Sequence, residues 1–196
     1  FDSQGNLWAC ADQNNQLWRI DSQGKVNVVV KDYQGKLLNG PNDVWVLPNL
    51  RRSYSRGFGG VGLPHEEVEL PGGLYFTDPY YKRNYWKRGE KEMPECVYYL
   101  EANGRKLSRV IADLKQPNGI IGTPDGKTLY VADIGAGKSD RYAIQRDGSL
   151  RDKQLGCELG SDGMTMEDQG NVYLTGKGVS VFGPTGIPLE HIDVPE

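Results

Sequence analysis

Residues 116–133 read QPNGIIGTPDGKTLYVAD, and their punctuation decides the fold. A Pro-Asn-Gly corner leads into a short apolar run, Ile120 and Ile121. A Pro124-Asp125-Gly126 turn follows, and then an alternating segment over 129–133. Proline presets φ for a turn and glycine supplies positive φ, so each mark bends the chain for a mechanical reason. The same order recurs in residues 161–176, SDGMTMEDQGNVYLTG, with Asp162-Gly163 at the corner and Asp168-Gln169-Gly170 as the turn. A third copy is split between PNDVWV (41–46) and GGLYFTD (72–78), and a fourth begins in mid-copy at residue 2, DSQGNLWACAD. The corner position therefore holds Asn42, Asn118 and Asp162 in successive copies.

The composition agrees with a chain of short strands. Gly is abundant at 26 of 196 residues, Tyr and Trp are plentiful at 11 and 4, and Gly-containing turns are frequent, which favours an all-β chain. A net charge of −3 gives no reason to expect a nucleic-acid or anionic-membrane partner. No apolar run approaches the roughly 20 residues of a membrane span. Neither a start Met nor a signal peptide opens the chain, so the compartment (cytoplasmic, or periplasmic and secreted) is not legible, and a soluble protein is expected. Cys10, Cys96 and Cys157 are scattered without CxxC spacing and read as free thiols on strands. The two histidines, His65 and His191, lie near no second His and no Ser-containing elbow, which gives a Ser-His-Asp triad little to work with.

In chain order, residues 7–12, 16–21 and 25–30 read as an antiparallel meander joined by tight turns. Leu17 and Arg19 are expected on one face and Trp18 and Ile20 on the other, one wet and one packed. Residues 50–71 break the repeat and read as an atypical insertion on the surface. Gly57-x-Gly59-x-x-Gly62 within it matches a dinucleotide fingerprint only formally, because no strand-to-helix junction frames it. Residues 79–95, rich in Tyr, Trp, Lys and Arg, are a loop that either covers the end of the core or touches a substrate.

Asn118 and Asp162 are 44 residues apart, and a four-strand unit recurring every 40–50 residues is the signature of a β-propeller. The expected fold is thus all-β, a propeller of which this chain covers about four blades. Residues 1–196 would form a single incomplete domain, lacking an N-terminal blade and a C-terminal closing segment. In such an architecture the corners converge on one axis. Two Asn and one Asp there offer hard amide and carboxylate oxygens, suited to Ca²⁺ or Mg²⁺, with Mn²⁺ or Zn²⁺ as alternatives. The competing explanation is that Asn-Gly and Asp-Gly are simply good turns.

The segments NGPNDVWV, GGLYFTDPYYKR, QPNGIIGTPDGKTLYVADIGAGK, GSDGMTMEDQGNVYLTGKGV and VFGPTGIPLEHIDVPE closely resemble the SMP-30/gluconolactonase/LRE family, in particular its bacterial gluconolactonase-like members. The resemblance covers nearly the whole chain except residues 50–71. It implies a six-bladed propeller with one divalent metal ion, usually Ca²⁺, and the hydrolysis of small sugar lactones such as glucono-1,5-lactone. By motif it implies that Asn118 and Asp162 are metal ligands and that Asn42 binds substrate or metal-held water. It also places Asp78 near the pocket, among the substrate-binding residues. The family's Glu in an EGP-type motif has no counterpart in this sequence. Asp162 is the expected general base toward the attacking water, with the metal as Lewis acid. Two alternatives stand beside this: a lactonase or esterase of another substrate, as in Drp35 and paraoxonase-like proteins, and a non-catalytic propeller used for binding. The oligomeric state is not legible.

Overall fold

The structure is a computed structural model that describes residues 1–48, 50–54, 66–70, 72–85 and 89–195, with 50–54 and 66–70 described as backbone strands. The first sheet is the meander β1 (Leu7–Ala11), β2 (Gln16–Ile20) and β3 (Val26–Val30). A small ribbon, β4 (Asp32–Tyr33) with β5 (Lys36–Leu37), leads to β6 (Val44–Val46). Within the insertion, β7 (Leu50–Tyr54) and β8 (Glu66–Leu70) pair antiparallel, Leu50 opposite Leu70 and Tyr54 opposite Glu66. The Gly57, Gly59 and Gly62 pattern lies outside the described residues.

The second sheet has the order β11-β10-β9-β6, with β9 (Leu74–Asp78), β10 (Cys96–Leu100) and β11 (Leu107–Ile111). The third is β12 (Pro117–Gly122), β13 (Thr128–Asp133), β14 (Lys138–Ile144) and β15 (Leu150–Cys157). The fourth is β16 (Met164–Met166), β17 (Val172–Gly176), β18 (Gly178–Phe182) and β19 (Pro188–Ile192). All neighbours are antiparallel, as short links between consecutive strands require. After β1 and β13 the chain makes a short 3₁₀ turn closed by a residue in the left-handed region, Asn15 (φ 56°) in one and Gly137 (φ 65°) in the other.

Period-two alternation stacks the sheets. On β9 and β10, Leu74, Phe76, Cys96, Tyr98 and Leu100 pack with Leu17, Val30 and Leu38 toward the first sheet. The interleaved Tyr75, Val97 and Tyr99 join Ile120, Leu129 and Val131 toward the third. Tyr130, between Leu129 and Val131, turns to the fourth sheet and meets Cys157, Val172 and Leu174. Burying each such side chain contributes about 1.5–3 kcal/mol before the entropy of ordering it is subtracted. Leu17 is fully buried while Arg19, on the same face, is exposed: the face expected to be uniform is divided along the strand's length.

The expectation of a β-propeller is corrected by this architecture. The chain is all-β with several antiparallel sheets, but the sheets are not closed into a ring, and no described strand pairs across from one of the four main sheets to another. The two outermost sheets keep solvent-facing strands: every residue of β19 is exposed, and on β3 Val26 and Val28 are 46% and 51% exposed. The physical reason is one of range. Turn chemistry and alternation specify each meander and its next neighbour, whereas closure demands contact between the first and last sheets.

Candidate functional site

Strand register places the three corners in phase. Val44 pairs with Phe76, Ile120 with Val131 and Met164 with Leu174, and Asn42, Asn118 and Asp162 each lie two residues before the first member of the pair. Cross-sheet bonds tie these corners together. The Thr77 hydroxyl donates to the carbonyl of Asn118 (2.8 Å), and Gly119 N–H donates to the carbonyl of Ser161 (3.1 Å). A Cβ on Gly119 would stand 2.8 Å from Met164 Cγ and 3.2 Å from Ser161 O, so the missing side chain permits this approach.

Asn118 is 2% exposed. Its Nδ2 donates to Asp162 Oδ1 (3.0 Å) and to the hydroxyl oxygen of Tyr81 (2.6 Å). Its Oδ1 is buried with no hydrogen-bond partner among the described residues. A buried amide oxygen left in that state costs about 1–3 kcal/mol, so it has the character of a ligand donor. With the carboxylate of Asp162, which the same side chain contacts through Nδ2, the corner supplies two hard oxygen donor groups, the donor chemistry that suits a divalent cation of the Ca²⁺ type. Among the described residues no group of three or more His, Cys, Asp or Glu side chains is placed to hold a metal ion, so any cation here relies on amide oxygen as well as carboxylate.

Asn42 is half-buried at the neighbouring corner, where its N–H donates to the carbonyl of Thr77 (3.0 Å). Asp78 is fully buried behind that corner; its Oδ2 accepts Asn39 N–H (2.9 Å) and its Oδ1 accepts Gly40 N–H (2.8 Å). The structure therefore brings Asn118 and Asp162 into contact, sets Asn42 in the adjoining corner, and commits both Asp78 oxygens to backbone.

Three further residues shape the site. Asp43, next to Asn42, accepts Val44 N–H at Oδ1 (2.9 Å) and Ile120 N–H at Oδ2 (3.0 Å), stapling the second sheet to the third. Burial pushes its carboxyl above the usual aspartate value, against the pull of those two N–H groups. It stands where the other copies have Gly119 and Gly163, and a charge in that place is a signal the repeat contains. Tyr81, from the aromatic loop, has its hydroxyl pKa raised by burial and by Asp162 and Glu95, while the Asn118 bond and Arg83 pull the other way. The Arg83 guanidinium lies 4.8 Å from the centre of the Tyr81 ring. Glu95, 8% exposed, receives Lys91 Nζ at Oε1 (2.9 Å) and keeps Oε2 buried without a partner among the described residues.

Away from this site, cross-strand pairing sets Ser180 Oγ 3.1 Å from His191 Nδ1, with Asp193 Oδ1 3.5 Å from Nε2. This grouping is absent from linear spacing, but its His and Asp are solvent-exposed and it sits on the outer strands. Cys96 and Cys157 are buried and Cys10 is half-buried, all as free thiols. No helix among the described residues is long and apolar enough to cross a membrane.

Residues 67–196 match the family described as the SMP-30/Gluconolactonase/LRE-like region. The chain is 28% identical to a gluconolactonase of Zymomonas mobilis over 204 aligned residues, covering 93% of this chain and 49% of that protein. It is 29% identical to the lactonase Drp35 of Staphylococcus aureus over 169 residues, 80% of this chain and 47% of the relative. Among solved structures, XC5397 from Xanthomonas campestris, described as a gluconolactonase, superimposes with a TM-score of 0.79 at 30% identity, over 99% of this chain and 60% of that one. The chain spans about half the length of the curated relatives it matches.

Proposed function

This chain belongs to the SMP-30/Gluconolactonase/LRE-like family, a family of lactonase-type hydrolases, and on that premise we propose that it serves metal-dependent hydrolysis of sugar lactones. The observation that carries the reading is that Asn118, bonded through Nδ2 to the Asp162 carboxylate, keeps a buried Oδ1 without a hydrogen-bond partner among the described residues.

In this reading Asn118 Oδ1 and Asp162 hold one divalent cation, Ca²⁺ before Mg²⁺, Mn²⁺ or Zn²⁺, because both donors are hard oxygens. When bound, such a cation supplies Lewis acidity toward the lactone carbonyl and acidifies water. The Asp162 carboxylate accepts the proton of the attacking water. Asn42 orients the lactone or that water from the adjoining corner. The Tyr81 hydroxyl, which accepts from Asn118, keeps its own proton, and its raised pKa maintains it as a donor toward a substrate oxygen. Asn118 contributes no charge, so the cation's field is offset by few anionic ligands. The relationship to Drp35 favours lactones as a class over gluconolactone alone.

The test is hydrolysis of glucono-1,5-lactone and of a simple aromatic lactone by the full-length protein, followed as acid release with and without EDTA. Loss of turnover on chelation, restored by Ca²⁺, supports the reading. Chelator-insensitive turnover overturns the metal's part in it, and no turnover of any lactone overturns the activity.

A further inference from the structure

The second and third sheets share a device that the corner residues alone do not explain. Asp133, at the end of β13 and 2% exposed, accepts Lys115 N–H at Oδ2 and Gln116 N–H at Oδ1, both at 2.9 Å. Its Oδ1 also takes Ala136 N–H (3.2 Å), which caps the following 3₁₀ turn. Asp78, at the end of β9, holds Asn39 and Gly40 N–H in the same manner, at 2.9 and 2.8 Å. In both cases the gripped pair is followed by proline and then by the corner asparagine: Lys115-Gln116-Pro117-Asn118 and Asn39-Gly40-Pro41-Asn42.

The proline matters mechanically. Its φ is fixed and it restricts the residue before it, so few backbone dihedrals remain free between the gripped peptides and the corner. A carboxylate with both oxygens bonded to backbone N–H groups is also at home in a buried position, since those bonds offset its desolvation. The fourth sheet lacks the device: Gly176 occupies the register position of Asp133, and that corner is held by Thr175 Oγ1, which accepts Gly163 N–H (2.9 Å), and by Ser161 Oγ, which donates to the carbonyl of Thr175 (3.0 Å). The carboxylate latch thus stands behind the two corners that carry a neutral Asn and is absent behind the one that carries an Asp. With Gly176 in that register position, no latch carboxylate stands behind the Asp162 corner.

We infer that Asp133 and Asp78 are positioning residues, whose carboxylates set the places of Asn118 and Asn42 by gripping the two peptide N–H groups ahead of each Pro-Asn corner. This rests on the reading of Asn118 as a cation-holding residue. Neither aspartate touches the reacting atoms; each acts through its asparagine.

The test compares Asp133→Asn, Asp78→Asn, Asn118→Ala and the double variant Asp133→Asn/Asn118→Ala in the full-length protein. It measures Ca²⁺ affinity by calorimetry, the unfolding midpoint without metal, and kcat and KM separately. Residues that orient a metal ligand are typically worth 10–100-fold in affinity, so Asp133→Asn is expected to weaken Ca²⁺ binding by about tenfold or more. That loss disappears when Asn118 is already Ala, because a latch with nothing to present has no further effect. Asp78→Asn raises KM while leaving Ca²⁺ affinity within about twofold. Should Asp133→Asn not fold, Asp133→Ser, which retains one acceptor, takes its place in the same comparison. A lower unfolding midpoint with unchanged Ca²⁺ affinity overturns the inference, as does an undiminished loss in the Asn118→Ala background. If Asn118→Ala alone leaves Ca²⁺ affinity unchanged, the site reading itself fails, which is a distinct outcome.

Discussion

The Nδ2 of Asn118 lies 3.0 Å from Oδ1 of Asp162, joining β12 to a residue 44 positions on, in the bend that leads into β16. The bond uses the amide nitrogen and leaves Oδ1 a buried acceptor without a partner among the described residues. One contact therefore both orders the carboxylate and prepares the oxygen donor. It links strand register, through the shared corner phase, to the proposed chemistry.

The first expectation concerns the cation. A ligand that binds only the folded state stabilises it by about 2.7 kcal/mol at a hundred times its dissociation constant. Ca²⁺ should accordingly raise the unfolding midpoint of the native protein by several degrees. Asn118→Ala and Asp162→Ala should abolish that rise and lower lactone turnover at least a hundredfold. A calcium-dependent rise that persists in both variants would sink the assignment.

Tyr81 offers a second measurement. Tyr81→Phe removes the oxygen that accepts Asn118 Nδ2 at 2.6 Å and leaves the ring in place. Losing one partner of a buried hydrogen bond costs about 1–3 kcal/mol. A fall in kcat/KM of about tenfold is expected with an unaltered circular dichroism spectrum. Unchanged kinetics would show that the phenol neither orients Asn118 nor donates to substrate.

Asp43 gives a pH dependence with a defined sign. Burial raises its carboxyl above the ordinary 3.8, so the folded state takes up the proton before the unfolded state does. The stability this contributes is fully present below the ordinary value and is lost as pH rises through the raised one. Relative to Asp43→Asn, the native protein should gain stability as pH falls from neutral toward about 4, read by urea unfolding at several pH values. A difference that moves the other way would show that the N–H groups of Val44 and Ile120 outweigh burial.

Glycine substitutions separate packing from backbone strain. A Cβ on Gly122, in β12, would collide with the Trp45 indole, which packs from the second sheet. Gly5 has φ +80° and open space around its Cβ position. Gly122→Ala should cost about 1–3 kcal/mol or more by overpacking, and Gly5→Ala about 1 kcal/mol from the left-handed backbone alone. Chemical unfolding of the two variants checks the order, and a milder effect at Gly122 would show that Trp45 relocates freely.

Much of the fold was legible in the sequence because its causes are local. The meander expected over 7–12, 16–21 and 25–30 forms as the strands Leu7–Ala11, Gln16–Ile20 and Val26–Val30, each boundary within one residue of its expected place. The corner phase of Asn42, Asn118 and Asp162 could be read from the repeat and is reproduced in strand register. Less legible was Asp78, read near the pocket, whose two oxygens are both bonded to backbone. Asp12, Asp78 and Asp133 recur at the ends of LWACAD, LYFTD and LYVAD, so the recurrence was visible, but not what the carboxylates grip.

By itself the sequence determined the all-β class, the turn positions, the equivalence of the three corners and the family. Tertiary structure alone decided that Asn118 meets Asp162, that Asp43 staples two sheets, that Ser180 faces His191 and that the sheets stay open instead of closing into a ring. The division has one physical cause. Proline, glycine and period-two alternation act over a few residues, whereas those contacts depend on how Tyr75, Val97, Ile120 and Val131 interlock between sheets, which fixes distances that no spacing in the chain encodes.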